Sequence, residues 1–240
     1  MSGHSKWATT KRQKAIVDAK KGTAFTKIAK ILTVAGRKGS DPTTNFSLRI
    51  AIEKAHAVNM PKDNIDRAIK RGIGELNKQQ IDELVYEGIG PAKTQFIIKC
   101  LTDNKNRSVA EIRHLFIKHN GSLGATLWNF KQQGIIRITN YELQNKNLNY
   151  NKFELEIIDQ EIEDIIKEKE GTTIYTKPEN LQKIKQFLEN KNIKTESAEI
   201  EYIAKEQITL SSEEKIQVEK FIEELENNED VADYYTNTNF

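Results

Sequence analysis

The sequence is poor in the residues on which chemistry is usually built. One cysteine, Cys100, stands in 240 residues, so an internal disulfide is excluded. Its place in the apolar run QFIIKCL reads as a buried thiol and not as a nucleophile. The chain contains no G-x-x-x-x-G-K-[ST], G-x-G-x-x-G, H-E-x-x-H or G-x-S-x-G, which sets aside the phosphate-loop, dinucleotide, zinc-protease and nucleophile-elbow classes. His114 and His119 lie five apart, not the four that places two ligands on one helix face, and read as surface histidines. No apolar run approaches the roughly 18 residues of a membrane helix, and the first 20 residues lack the apolar centre of a secretory signal. The expectation is a soluble cytoplasmic protein without membrane contact, cofactor or bound metal.

What the sequence does have is charge, unevenly placed. Apolar residues make up 37% of the chain, enough to build cores, and the net charge is only +2. Divided along the chain, residues 1–79 carry 17 Lys and Arg against 6 Asp and Glu, a balance of +11, while residues 80–240 carry 20 against 29, a balance of −9. An excess of about ten cations in one segment raises affinity and encounter rate for phosphate backbones.

The basic part reads as helices. GTAFTKIAKILTVAGRKG places Phe25, Ile28, Ala29, Leu32 and Ala35 on one stripe, with Thr23 as N-cap and Gly36 or Gly39 as the stop. NFSLRIAIEKAHAVN repeats the pattern after Pro42 and Asn45. MPKDNIDRAIKRG carries Pro61 at its start, Asp63 and Asp66 near the positive end, and Lys70, Arg71 and Gly72 at the close. GIGELNKQQ is the clearest linker and puts a boundary near residues 76–80. Beyond it, strands and helices alternate. LVYEGIG, QFIIKCL, GIIRI, GTTIYTK and AEIEYIAKEQITL read as strands, with VADYY as a short last one. SVAEIRHLFIKHN, LEIIDQEIEDIIKEKE, PENLQKIKQFLENK and SSEEKIQVEKFIEELE read as helices, with capping boxes at Ser108–Glu111 and Ser211–Glu214. Within EIEDIIKEKE, Glu163 and Lys167 form an i, i+4 pair on a solvated face. The fold class is therefore α+β and multidomain: a helical bundle followed by two small α/β sandwiches of ferredoxin-like kind.

The candidate site residues follow from that division. In KWATTKRQK the indole of Trp7 stands among Lys6, Lys11, Arg12 and Lys14. An exposed indole stacks on any base while its cationic neighbours track phosphates. Arg67, Lys70 and Arg71 fan from one helical turn and can bracket a phosphate, or simply compensate the helix dipole. Lys27, Lys30 and Arg37 lie off the apolar stripe and widen the cationic face. In LTDNKNRS, Arg107 at a helix start offers an anion contact beside turn chemistry. Glu83, Glu87 and Asp103 near strand ends offer a magnesium site and a phosphodiesterase reading, which their spacing does not require, beside the plainer reading of solvated turn residues.

The stretches GHSKW, DAKKGTAFTKIAKILTVAGRKGSDP, NMPKDNIDRAIKRG and YEGIGPAKTQFIIKCLTDNKNRSVAEIRHLFIKHNGSLG, in that order, closely resemble the YebC family. One departure is Ala92-Lys93, where the family usually shows glycines. The resemblance implies a basic helical domain over 1–79, a discontinuous middle α/β domain over 80–130 and 206–240, and an α/β domain inserted over 131–205. It also implies a DNA-binding transcriptional regulator. Its mitochondrial relatives resemble translational activators, bacterial members have been assigned to the ribosome, and no catalytic residues attach to the family. The expected function is a non-enzymatic regulator of gene expression whose partner is DNA or ribosomal RNA. A further protein partner is expected at the acidic α/β domains. The absence of a recognition-helix or dimerisation pattern leans toward RNA, and the family's usual label toward DNA. The metal-dependent phosphodiesterase and a plain protein scaffold are the remaining alternatives.

Overall fold

A computed structural model of the chain describes residues 21–76, 80–145 and 150–238. In chain order its elements are α1 (Lys21–Gly36), α2 (Phe46–Ala57), α3 (Lys62–Gly72), β1 (Asp82–Ile89), β2 (Gln95–Thr102), α4 (Lys105–Lys118), β3 (Ser122–Leu123) and β4 (Phe130–Thr139). They continue as α5 (Asn140–Asn145), α6 (Tyr150–Ile158), β5 (Asp164–Lys167), β6 (Gly171–Thr176), α7 (Leu181–Asn190), β7 (Ser197–Ala204), α8 (Ser212–Asn227) and β8 (Val231–Thr236). The strands form two antiparallel sheets of four, ordered β3-β1-β2-β8 and β5-β6-β4-β7. The chain falls into two compact units, one of residues 130–205 and the other of the described residues on either side. No helix among the described residues is long and apolar enough to cross a membrane.

The stripe read from the sequence closes the core of the helical segment. Ile28, Leu32 and Ala35 of α1 meet Leu48, Ala51 and Ala55 of α2 and Ile65 and Ala68 of α3, all buried. Thr23 lies inside α1 and is not its cap. Asn45 caps α2 by accepting the Leu48 N–H, and its amide donates to the carbonyls of Ala35 and Gly39, both at 2.8 Å, so one side chain ties the end of α1 to the start of α2. α1 and α3 cross at Gly36 and Gly72. A Cβ on Gly72 would stand 2.4 Å from the Thr33 carbonyl, and one on Gly36 3.3 Å from that of Ile69. Thr33 Oγ donates across the crossing to the Ala68 carbonyl at 3.1 Å.

In the first sheet, Phe96, Ile98 and Cys100 of β2 pack against Ile112 and Phe116 of α4 and Val218, Phe221 and Leu225 of α8. Phe96 and Phe221 meet edge to face at 5.0 Å. Cys100 is fully buried, and burial pushes its thiol up to about 12, which keeps it unreactive. The Ser211–Glu214 capping box of α8 forms as expected. The one expected at Ser108–Glu111 does not. Asn104 caps α4 by accepting the Arg107 N–H, which leaves Ser108 buried within the helix. The turn from β1 to β2 puts Ala92 at φ 55° and Lys93 at φ 59°, two successive left-handed residues, and this explains why glycine suits those positions.

The helical core and the first sheet's core are separate clusters, joined by polar contacts. Lys27 Nζ donates to the Glu226 carbonyl at 2.7 Å, and Lys30 Nζ to the Glu229 carbonyl at 3.0 Å and Asp230 Oδ1 at 2.6 Å. The Arg37 guanidinium donates to the Ile81 carbonyl at 2.5 Å. The Asp230 side chain is only 3% exposed and also accepts from Thr102 Oγ at 2.9 Å and from Arg107 Nη2 at 3.1 and 3.2 Å.

In the 130–205 unit, α7 packs on β4 and β7. A buried Arg137–Glu201 pair with contacts of 2.6 and 3.1 Å fastens β4 to β7. Burial works against the charged guanidinium there, and the Glu201 carboxylate outweighs it. The segment LEIIDQEIEDIIKEKE is not one helix. α6 stops at Ile158, Glu161 turns the chain at φ 63°, and Asp164–Lys167 pair with β6 as an edge strand. Glu163 accordingly meets Lys131 and Gln133 of β4, at 2.7 and 2.6 Å, and not Lys167.

Three outcomes follow from this packing. Gly72→Ala should lower stability by about 1–3 kcal/mol through backbone overpacking, while Gly22→Ala, with nothing within 4 Å of the added carbon, should raise it by about 0.5–1 kcal/mol. Urea midpoints compare the two, and equal effects would remove the crossing as the cause. Ala92→Gly should gain on the order of 0.5 kcal/mol, because relief of left-handed strain exceeds the added chain entropy; a lower midpoint contradicts this. Burial raises the Asp230 carboxyl, but the hydrogen bonds from Lys30, Thr102 and Arg107 outweigh it and hold it below the ordinary aspartate value. Its contribution is therefore complete above that ordinary value and fades as pH falls through the lowered one. Asp230→Asn should cost about 1–3 kcal/mol at neutral pH and show a shallower loss on acidification. Parallel acid limbs for the two proteins would refute that assignment.

Candidate nucleic-acid interface

The twelve cationic and aromatic positions singled out in the sequence separate into three groups. Lys6, Trp7, Lys11, Arg12 and Lys14 lie outside the described residues. Lys27, Lys30, Arg37 and Arg107 have partners inside the protein. Arg67, Lys70 and Arg71 stand exposed on α3.

The second group is held by the contacts that join the helices to the first sheet. Burial lowers Lys27 to about 8, with Glu226 pulling it partly back up. Lys30 is taken by Asp230. Arg107 is held chiefly by the same carboxylate, whose hydrogen bond raises the guanidinium above its ordinary value, and it also reaches Asp103 at 2.9 Å. The anion beside the start of α4 is thus the protein's own.

The third group lies near the end of α3, and Lys38, just past the end of α1, is exposed as well. Lys38, Lys70 and Arg71 have no hydrogen-bond or ion-pair partner among the described residues. Arg67 Nε donates to the Asp63 carbonyl at 3.1 Å and its guanidinium to Asn64, which fixes it along α3. Ile73 and Leu76, 38% and 39% exposed, border the same helix end. Lys70 and Arg71 lie in the last turn of α3, whose carbonyl end favours cations.

Of the carboxylates weighed for a metal, Glu83 is exposed and the other two are otherwise engaged. Glu87 Oε2 accepts the N–H groups of Thr126 and Leu127, both at 2.7 Å, and Asp103 meets Arg107. No group of three or more His, Cys, Asp or Glu among the described residues could hold a metal ion. His119 is half-buried, with Nε2 3.3 Å from Glu224 and its ring tilted against Phe221, whereas His114 is exposed.

Residues 5–75 match the model of the TACO1/YebC protein N-terminal domain, and residues 81–238 that of the TACO1/YebC second and third domain. A probable transcriptional regulatory protein of Thermoanaerobacter pseudethanolicus is 44% identical over 99% of this chain and 96% of its own length. One from Kosmotoga olearia is 43% identical over 99% and 94%. The crystal structure of a conserved hypothetical protein from Aquifex aeolicus superposes with a TM-score of 0.79 at 35% identity, covering 92% of this chain and 91% of that one. With both family models matched along nearly its whole length, the chain belongs to the TACO1/YebC family.

Proposed function

We propose that this protein is a non-enzymatic regulator of gene expression that grips nucleic acid through the exposed cations at the end of α3. The observation that carries the reading is that Arg67, Lys70 and Arg71 stand exposed within about one turn of α3, Lys70 and Arg71 without a carboxylate partner among the described residues. The names of the relatives, probable transcriptional regulatory proteins, support a regulatory role. In this reading the cluster neutralises successive phosphates and releases their counterions, a contact that fixes position without reading sequence. Arg67 lies one turn further along α3 and extends the track. Lys6, Lys11, Arg12 and Lys14 add phosphate contacts, and Trp7 supplies a stacking face. The acidic α/β part carries no share of that binding and is free to meet a protein.

The test is the salt dependence of binding to duplex DNA and to ribosomal RNA. Replacing Arg67, Lys70 and Arg71 together with Ala should reduce the slope of log K against log salt by up to about three units. An unchanged slope clears these residues of phosphate contact. A transcriptional role further requires a preferred duplex bound about 1000-fold or more over random sequence, whereas tighter binding to ribosomal RNA moves the role to translation.

A further inference from the structure

We propose that the junction between the helical segment and the end of α8 is an electrostatic latch. In it the Glu226, Glu229 and Asp230 acceptors stand in for a phosphate chain on Lys27 and Lys30, and a bound polyanion competes for those two cations and releases the helices from the first sheet. The inference rests on the proposed nucleic-acid binding and concerns the regulation of the same site.

The acceptors have the character of a phosphate mimic. Two are carbonyls at and just beyond the C-terminal end of α8, where the helix dipole is negative, and the third is a formal carboxylate. Together they place three oxygens 2.6–3.0 Å from two ammonium groups one turn apart on α1. The donors suit a backbone equally well. Lys27 and Lys30 lie about 4.5 Å apart along the axis of α1, and Lys30 about 9 Å along it from Gly36, where α1 meets α3, at 1.5 Å per residue. A duplex held by Lys70 and Arg71 at that contact therefore passes within reach of the cations that the latch occupies.

The junction is also built to yield. The apolar cores on its two sides are separate clusters, so parting them does not break open a shared core. The ammonium of Lys27 is desolvated with only partial compensation from Glu226, so the closed state holds that cation at a cost which open contact with hydrated phosphate relieves. A duplex offers one charge per about 1.7 Å of axis, far denser than the single carboxylate it must displace.

Hydrogen exchange on the whole protein, with and without an excess of duplex DNA and, separately, duplex RNA, reads the latch directly. Opening should speed exchange at residues 226–233 several-fold in the complex while residues 96–101 of β2 hold steady. Equal or slower exchange at 226–233 in a complex that does form overturns the latch and leaves the binding proposal standing. Asp230→Asn supplies the second readout. With the competitor's charge removed, affinity for the same duplex should rise about threefold or more at an unchanged salt slope, because Lys30 reaches the phosphates in both proteins. A folded variant with unchanged affinity counts against the latch. Binding by the variant alone, with none by the unaltered protein, supports a closed latch, and absence of binding by both overturns latch and function together.

Discussion

One nearly buried carboxylate, Asp230, holds together parts of the chain that would otherwise have little reason to meet. It receives Lys30 from the basic helices, Arg107 from the start of α4 and Thr102 from the end of β2. A lone carboxylate in that setting would be protonated or expelled. Three donors make it an anchor, Lys30 from an element of the helical core and Thr102 and Arg107 from a strand and a helix that share the first sheet's core. The orientation of α1 on the first sheet, the register of the loop entering β8 and the fate of two candidate phosphate ligands all depend on this group.

The same anchor divides the positive charge of the first segment into two populations. Lys27, Lys30 and Arg37 are spent on internal oxygens, so the surplus of cations counted in the sequence overstates what a partner meets in the docked arrangement. Lys38, Lys70 and Arg71 have no such partner among the described residues. A net charge per segment measures how strongly a protein attracts polyanions at long range, but which cations touch the partner is decided by which of them the fold has already neutralised.

Much of this was legible in advance and some was not, for reasons that differ by residue. The stripe Ile28, Leu32, Ala35, the Asn45 punctuation, the Ser211–Glu214 box and the apolar strands 95–101 and 171–176 carry local signals, because their periodicity and caps act within a few residues. Asp164–Lys167 misled because Glu and Lys at i, i+4 spacing favour a helix, while pairing with Thr172–Tyr175 is a tertiary gain that local spacing does not encode. Ser108 misled because a capping box and a buried serine in a second turn share one pattern, and Asn104 was the better cap. The partners of Lys27 and Lys30 lie about two hundred residues away along the chain, beyond any window that composition or spacing can inspect.

The end of α3 also shows how cations can be gathered without being neutralised. Like charges brought together repel, and proteins commonly relieve this by interposing a carboxylate, which would blunt an anion site. Lys70 and Arg71 have no carboxylate partner among the described residues, and the relief comes from the backbone instead. Both lie in the last turn of α3, whose end acts as roughly half a negative charge. Partial charges spread over several carbonyl oxygens steady the ammonium and guanidinium groups but compete with a phosphate less well than a full carboxylate does. A side chain at Gly72, whose Cβ would stand 2.4 Å from the Thr33 carbonyl, would push that helix end off α1.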